Sequence, residues 1–489
     1  MTEKSTTKET INSLSVQTVM TVAMAVLSLV SFSILSRLLT KEDFGYFAAI
    51  SAIVAIFDTL TEAGFGSAVI QKKNVNNAYV DTAFSLALYT GIVFSILLLI
   101  LANGLAGIVA DSNIATPLKV MSICIFFSSL NSVTKAHMTR NLEFKRIGLY
   151  NIYAQIVAMC FAIACAYYGL GVYAIVIQNI ILSVFSFGIF YYNLEYRPKW
   201  FNVDKRAVSE IFSFGGWLTA SCIFRTIYQQ MDKLLMGRWL SISVLGAYNR
   251  PAGFISQMSQ RFNGILDTVL FPILSSIQDD KEKIRRAYDK MLYAINLYSS
   301  ILCIVFIISN KWIIDIFFGK EWESISVVFC ILSLSLLLSV NGRIMDCFIR
   351  SLAYVKMGFY LRILACFITF GCLFVGKDYG INGVALAVVI SNYLIIFTKL
   401  WYIGHKIEVP FWHTLYVMFK PLRYTIYPIV FIMIFYSQIS HNIIWSIVAT
   451  ILTVVFYVGL IICFPKVSGD FITEYMYKKL PLLKKFRII

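Results

Sequence analysis

Arg225, Tyr228, Gln229 and Asp232 fall at i, i+3, i+4 and i+7, so they share one face of a helix that is otherwise apolar. The next apolar stretch carries two such stripes: Arg250, Gln257 and Arg261, and beside them Gln260, Asn263 and Asp267. The chemistry on offer is anion binding flanked by neutral hydrogen bonding. Arginine presents a planar fork of permanently charged donors that matches phosphate. An Arg or Asp at the centre of a bilayer costs on the order of 2.5–3.5 kcal/mol on insertion scales, so such residues face protein or water and are usually functional. Two acids form another group: Ser51, Ala55, Asp58 and Glu62 share a helical face, near mid-membrane and one turn deeper. Asp58 and Glu62 are candidates for binding a coupling ion; a structural ion pair with an arginine elsewhere is the alternative.

The elements that position these residues follow from composition. The 489 residues are 59% hydrophobic and only 14% charged, with a mean hydropathy of +0.75. That describes an all-α polytopic membrane protein. A spanning helix takes about 20 apolar residues, and about fourteen such stretches are present. The first eight run near Leu14–Leu39, Gly45–Ile70, Thr82–Ala110, Ile114–Thr134, Leu149–Gly169, Gly171–Tyr192, Ile211–Met236 and Leu245–Ser276. The others run near Met291–Ser309, Ser324–Phe348, Met357–Val375, Gly380–Trp401, Tyr424–Ser437 and Asn442–Phe464. Pro251 and Pro272 are expected to break or bend the eighth. Polar breaks at Asn193–Arg206 and His405–Arg423 divide the chain into residues 1–200 (helices one to six), 201–404 (seven to twelve) and 405–489 (two more helices and a basic tail).

The net charge of +16 does not mark a nucleic-acid partner. Its lysines and arginines gather in alternate connections, around 135–146, 197–206 and 281–290 and in the tail, as the positive-inside rule requires. Both ends are therefore expected in the cytoplasm, with anionic lipids attracted to these loops and to the tail. The connector Asp279–Lys290 is expected to hold a short interfacial helix. Within the spans Arg225, Arg250, Arg261, Arg362 and Lys119 face Asp58, Glu62, Asp232 and Asp267, close to balance. Asp232 and Asp267 are thus candidates for structural ion pairs, Asp232 with Arg250. The ten cysteines and four histidines form no metal-ligand spacing, so no metal and no cofactor is implied. No nucleophile elbow, phosphate loop or zinc helix is present, and no loop exceeds about 20 residues, so an enzyme is not expected. The polar Met1–Ser13 leads into a stretch longer than the apolar part of a cleavable leader.

The chain repeats itself. Arg37-x-Leu39-x5-Gly45 lies between the first and second helices, and Arg238-x-Leu240-x5-Gly246, 201 residues on, lies between the seventh and eighth. Thr40 aligns with Ser241 and Phe47 with Tyr248. An offset of six helices preserves orientation, as in parallel repeats about an axis along the membrane normal.

Ser36-Arg37-Leu38-Leu39-Thr40-Lys41-Glu42-Asp43-Phe44-Gly45-Tyr46-Phe47, Gly64-Phe65-Gly66-Ser67-Ala68-Val69-Ile70-Gln71, Asp232-Lys233-Leu234-Leu235-Met236-Gly237-Arg238 and Leu245-Gly246-Ala247-Tyr248-Asn249-Arg250 carry a resemblance. The chain resembles the polysaccharide flippases, the O-antigen and lipopolysaccharide transporters of the multidrug/oligosaccharidyl-lipid/polysaccharide exporter superfamily, up to about Trp401. The resemblance implies two six-helix lobes around a central cavity with two further helices, and a cargo of oligosaccharide on polyprenyl pyrophosphate, moved to the outer leaflet of the bacterial cytoplasmic membrane by alternating access. On that footing Arg225 and Arg261, with Arg362 as cargo arrives and Arg250 as it leaves, hold the pyrophosphate. Gln229, Gln257, Gln260 and Asn263 bond sugar. A glycan polymerase or glycosyltransferases are the implied protein partners. The alternatives are a cation-coupled drug exporter that uses the acids, a peptidoglycan-precursor flippase, and a non-transporting scaffold for a synthase.

Overall fold

Backbone amides inside a bilayer have no water to bond, so a spanning chain satisfies them within helices. The computed structural model describes residues 3–62, 64–72, 75–109, 111–277, 280–352, 354–434 and 443–463, with backbone alone for 3–18, 212–218, 261–273 and a few scattered positions. Within the described residues each of the fourteen apolar stretches is helical apart from a few terminal residues and two internal turns, and no strand is present. Nine helical segments among them are long and apolar enough to cross a membrane, which makes this a multi-pass membrane protein. The basic tail expected after the last apolar stretch lies outside the described residues.

By contacts the chain divides into two compact units, Met1–Asn249 and Arg250–Ile489. The first holds α1 (Glu3–Leu38), α2 (Lys41–Glu62), α3 (Phe65–Gln71), α4 (Asn77–Ile108), α5 (Ala115–Arg140), α6 (Phe144–Tyr167), α7 (Val172–Tyr192), α8 (Lys205–Trp239) and the start of α9 (Ile242–Ser276). Two expectations change here. The stretch Gly45–Ile70 is not one helix: α2 stops at Glu62, Gly64 takes a left-handed φ of 76°, and α3 follows as a separate helix. Second, neither Pro251 nor Pro272 breaks α9, whose helical backbone runs through both, because neighbouring groups can satisfy the carbonyls that a proline frees in a membrane helix.

Small residues set the packing of this unit, as close approach in lipid requires. Ala154, Ala158, Ala162 and Ala166 form a buried stripe on α6, which packs on α1 and α7. Ser129 of α5 donates to the Ala87 carbonyl of α4 at 2.9 Å, opposite Gly91, where a Cβ would lie 2.3 Å from the same hydroxyl.

The repeated motif proves to be capping chemistry joined to a helix crossing. Thr40 caps α2: the Asp43 amide donates to its hydroxyl at 3.2 Å, and the Thr40 amide donates back to the Asp43 carboxylate at 3.0 Å. Ser241, its counterpart, accepts from the Val244 amide at 3.3 Å and caps α9. The two motif glycines then meet. A Cβ on Gly45 would fall 1.9 Å from the Ile242 carbonyl oxygen, and one on Gly246 would fall 1.7 Å from that of Lys41.

The linker after α7 is tied to the start of α4 by one acid. Asp81, only 2% exposed, accepts from the Tyr196 hydroxyl at 2.8 Å, the Lys199 amide at 2.8 Å and the Asn202 amide group at 2.9 Å. Burial, then the bond to Asp81, pushes the Tyr196 phenol up to about 12. Asp81→Ala strands three donors, each costing about 1–3 kcal/mol when left unpaired. We expect the variant to lose roughly 4 kcal/mol of stability, read as earlier thermal unfolding in detergent, with Asp81→Asn intermediate.

The second unit holds the rest of α9, α10 (Lys281–Ile313), α11 (Ser326–Ser333), α12 (Leu336–Ser351), α13 (Val355–Gly376), α14 (Gly380–Lys406), α15 (Phe411–Phe419), α16 (Ile426–Ile434) and α17 (Ile443–Cys463). The stretch Ser324–Phe348 is two helices, parted by a turn at 334–335. The charged connector ahead of α10 forms no separate helix; from Lys281 onward it is the first turns of α10, capped by Asp280, which accepts from the Lys283 amide at 3.0 Å. The core of this unit gathers apolar residues of α10, α12, α14 and α15, among them Tyr288, Met345, Phe348, Leu400 and Met418. Within it Asn296 and Asn341 exchange two hydrogen bonds, at 3.0 and 2.8 Å, so each buried amide is satisfied by the other.

Candidate functional site

Three helices of the first unit bring their polar residues together. α2 and α8 pack side by side and are pinned by a 2.9 Å bond between the Thr59 and Thr226 hydroxyls; α5 packs on α2. On this framework α2 supplies Asp58 and Glu62, α5 supplies Ser128 and Lys135, and α8 supplies Arg225 and Gln229. The Asp58 carboxylate lies beside Ser128 and within electrostatic range of Glu62, while Glu62 lies within range of Lys135 and Arg225. None of the four charges is in a salt bridge among the described residues.

Two atoms of this group are buried without a hydrogen-bond partner among the described residues: Oδ1 of Asp58 and Nε of Arg225. The Arg225 guanidinium reaches the Cys222 sulfur at 3.9 Å, a weak contact for so strong a donor. Gln229 and Glu62 are exposed and Arg225 is half-buried. A guanidinium so placed has donors to spare for a ligand anion, and the nearby acids keep the site close to neutral when it is empty.

The other residues singled out by sequence are placed elsewhere. Asp232 accepts from the Tyr248 hydroxyl at 2.7 Å, within the first unit. In the second unit Arg250 and Gln257 are half-buried on α9, and Gln260 is exposed with its amide donating to Ser256 at 3.1 Å. The side chains of Arg261, Asn263 and Asp267 lie outside the described residues, although their backbone is helical. Arg362, half-buried on α13, lies near Asp346, which also feels Arg350 and is paired with Lys399 at 2.7 Å. That pair is buried on the lysine side, at 8% exposure.

Two cations were not singled out. Lys135 stands four residues after Asn131 and seven after Ser128, on one face of α5, and that spacing was the available signal. Lys399, seven residues after Asn392 and two before Trp401, reads from sequence as an edge charge.

The family described as polysaccharide biosynthesis protein matches residues 34–327. The lipopolysaccharide biosynthesis protein WzxC of Escherichia coli is 26% identical over 78% of this chain and 77% of its own length. The succinoglycan biosynthesis transport protein ExoT of Rhizobium meliloti is 23% identical over 81% of this chain and 80% of its own. Among solved structures, the lipid II flippase MurJ in an inward closed conformation superposes with a TM-score of 0.69 at 14% identity, covering 94% of this chain and 99% of that one. An inward-facing multidrug resistance transporter of the MATE family, of the MOP superfamily, gives 0.58 at 14% identity over 78% of this chain and 94% of its own. The fold is thus that of these transporters, and the chain belongs to the polysaccharide biosynthesis protein family.

Proposed function

We propose that this protein is a flippase, and not an enzyme, that carries a polyprenyl-pyrophosphate-linked oligosaccharide from the cytoplasmic to the outer leaflet for lipopolysaccharide, O-antigen or exopolysaccharide assembly. The observation that carries the reading is Arg225: a permanent cation on α8, its Nε unpartnered among the described residues, beside exposed Gln229. A pyrophosphate supplies the acceptors that this fork lacks. Gln229 and the α9 amides Gln257, Gln260 and Asn263 bond sugar, with Arg250, Arg261 and Arg362 as further cations along the route. Access to the site alternates between the two sides of the membrane. The membrane is the bacterial cytoplasmic one, both termini are cytoplasmic, and glycan polymerase or glycosyltransferases hand over or receive the cargo. The relatives named for lipopolysaccharide and succinoglycan biosynthesis support this choice of cargo.

The test is leaflet exposure in proteoliposomes, with purified protein, a lipid-linked oligosaccharide and an impermeant glycosidase outside. Protein-dependent cleavage is expected, and its absence under imposed proton and sodium gradients overturns the reading. Asp58→Asn, in the same assay, is expected to leave cargo movement but abolish its response to an imposed gradient. An unchanged response removes Asp58 from ion coupling. The unpartnered Asp58 oxygen favours one other reading, a cation-coupled exporter. Dye efflux that requires Asp58, with no oligosaccharide movement, would establish it.

A further inference from the structure

α15 has nine residues, about 14 Å of helix, too short to cross a bilayer. One face turns Thr414, Val417 and Met418 into the core of the second unit. The opposite face turns Trp412, Tyr416 and Phe419 outward at i, i+4 and i+7, with exposures of 79%, 62% and 41%. Trp and Tyr on one side of a short helix are the residues of a membrane interface.

Two cations close one end of this face, in the 3-10 turn Lys420–Thr425. The Lys420 ammonium lies 5.7 Å from the Tyr416 ring centroid and 5.9 Å from that of Tyr293, and the Arg423 guanidinium lies 4.6 Å from the Tyr424 ring. Together Trp412, Leu415, Tyr416, Phe419, Lys420 and Arg423 line an open groove of about 510 Å³. The acids of this region are engaged elsewhere. Glu408 binds Lys281 at 2.7 Å and also Arg285, which hold its carboxyl below the usual range, and Asp289 takes His413 at 3.1 Å. The His413–Asp289 contact also joins α15 to α10, and those of Glu408 join α10 to the turn before α15. Among the described residues no carboxylate is paired with Lys420 or Arg423.

We infer that this groove binds the headgroup of an anionic phospholipid. Its phosphate sits between Lys420 and Arg423, and its glycerol and first acyl carbons lie along Trp412, Tyr416 and Phe419. Charge complementarity selects the phosphate. The aromatic wall, continuing into exposed Ile426, Ile429 and Val430 of α16, selects a molecule with an acyl chain over a free ion. That the leaflet is the cytoplasmic one rests on the orientation proposed above; the site does not depend on the transport reading.

The full chain in phosphatidylcholine nanodiscs containing a minority of phosphatidylglycerol tests this, with bound lipid counted by native mass spectrometry after release into detergent. The wild type is expected to retain phosphatidylglycerol. Lys420→Ala with Arg423→Ala is expected to weaken retention roughly thirtyfold, two basic contacts' worth. The exchange Lys420→Arg with Arg423→Lys is expected to keep it, which separates lost charge from lost folding, and Trp412→Ala to reduce it. Equal retention in the double alanine variant overturns the proposal. So does displacement of the lipid by inorganic phosphate, which would make the ligand a free anion. Transport is not the readout, so failure here leaves the flippase reading standing, and failure of flipping leaves this site standing.

Discussion

Arg225→Ala is expected to cut oligosaccharide movement in proteoliposomes, and surface glycan in cells, by about a hundredfold at normal protein level. The figure corresponds to about 3 kcal/mol, the upper range for hydrogen bonds to a charged group. The substitution removes the one α8 cation in this group whose Nε has no partner among the described residues, and it leaves the Thr59–Thr226 bond that joins α8 to α2 untouched. Folding should therefore survive. Arg225→Lys retains the charge but loses the two-pronged geometry, so part of the activity is expected to remain. Removing Arg225 also takes away a cation near Glu62, so the Glu62→Gln variant in the same background is expected to restore little transport and some stability. Glycan export unchanged in Arg225→Ala would take this residue out of the cargo site.

Gly246→Ala is expected to be the most destabilising glycine-to-alanine change among the described residues, at about 3 kcal/mol. The new Cβ would sit 1.7 Å from the Lys41 carbonyl oxygen and 2.8 Å from the Gly45 nitrogen, both backbone atoms with no rotamer to change. The starts of α2 and α9 would have to separate, and with them the caps at Thr40 and Ser241. The control lies seven residues along the same helix. A Cβ on Gly253 meets nothing within 4 Å, so Gly253→Ala should be neutral or stabilising by roughly 0.5–1 kcal/mol. Thermal unfolding in detergent reads both. Equal melting of the two variants would remove the crossing as a source of stability.

The spans were legible because a bilayer demands the apolarity that marks them, and the helical stripe of Arg225 and Gln229 was legible because local spacing alone defines a face. What sequence did not reveal is non-local. Asp81 looks like a charge at the edge of a span, and its three donors lie 115, 118 and 121 residues away. Lys135 and Lys399 sit near span ends, where the positive-inside rule accounts for a cation without any site. Yet one lies near Glu62 and the other pairs with Asp346. The break after Glu62 was missed because small and apolar residues resume at once, and Gly64 sets the turn through its φ and not through polarity. The motif glycines were found as spacing; that they touch each other could not be read from it.

The contact between those glycines is reciprocal. Residue 45 faces the carbonyl of residue 242, and residue 246 faces that of residue 41; under the 201-residue offset each pair maps onto the other. That is the form of an isologous interface, the self-complementary patch by which two identical subunits join about a two-fold axis, here closed within one chain. One position is therefore read twice by the same constraint. A substitution scan of the motif should return matching tolerance profiles at 45 and 246. Once either carries a methyl and the helices have parted, the second substitution should cost far less than the first.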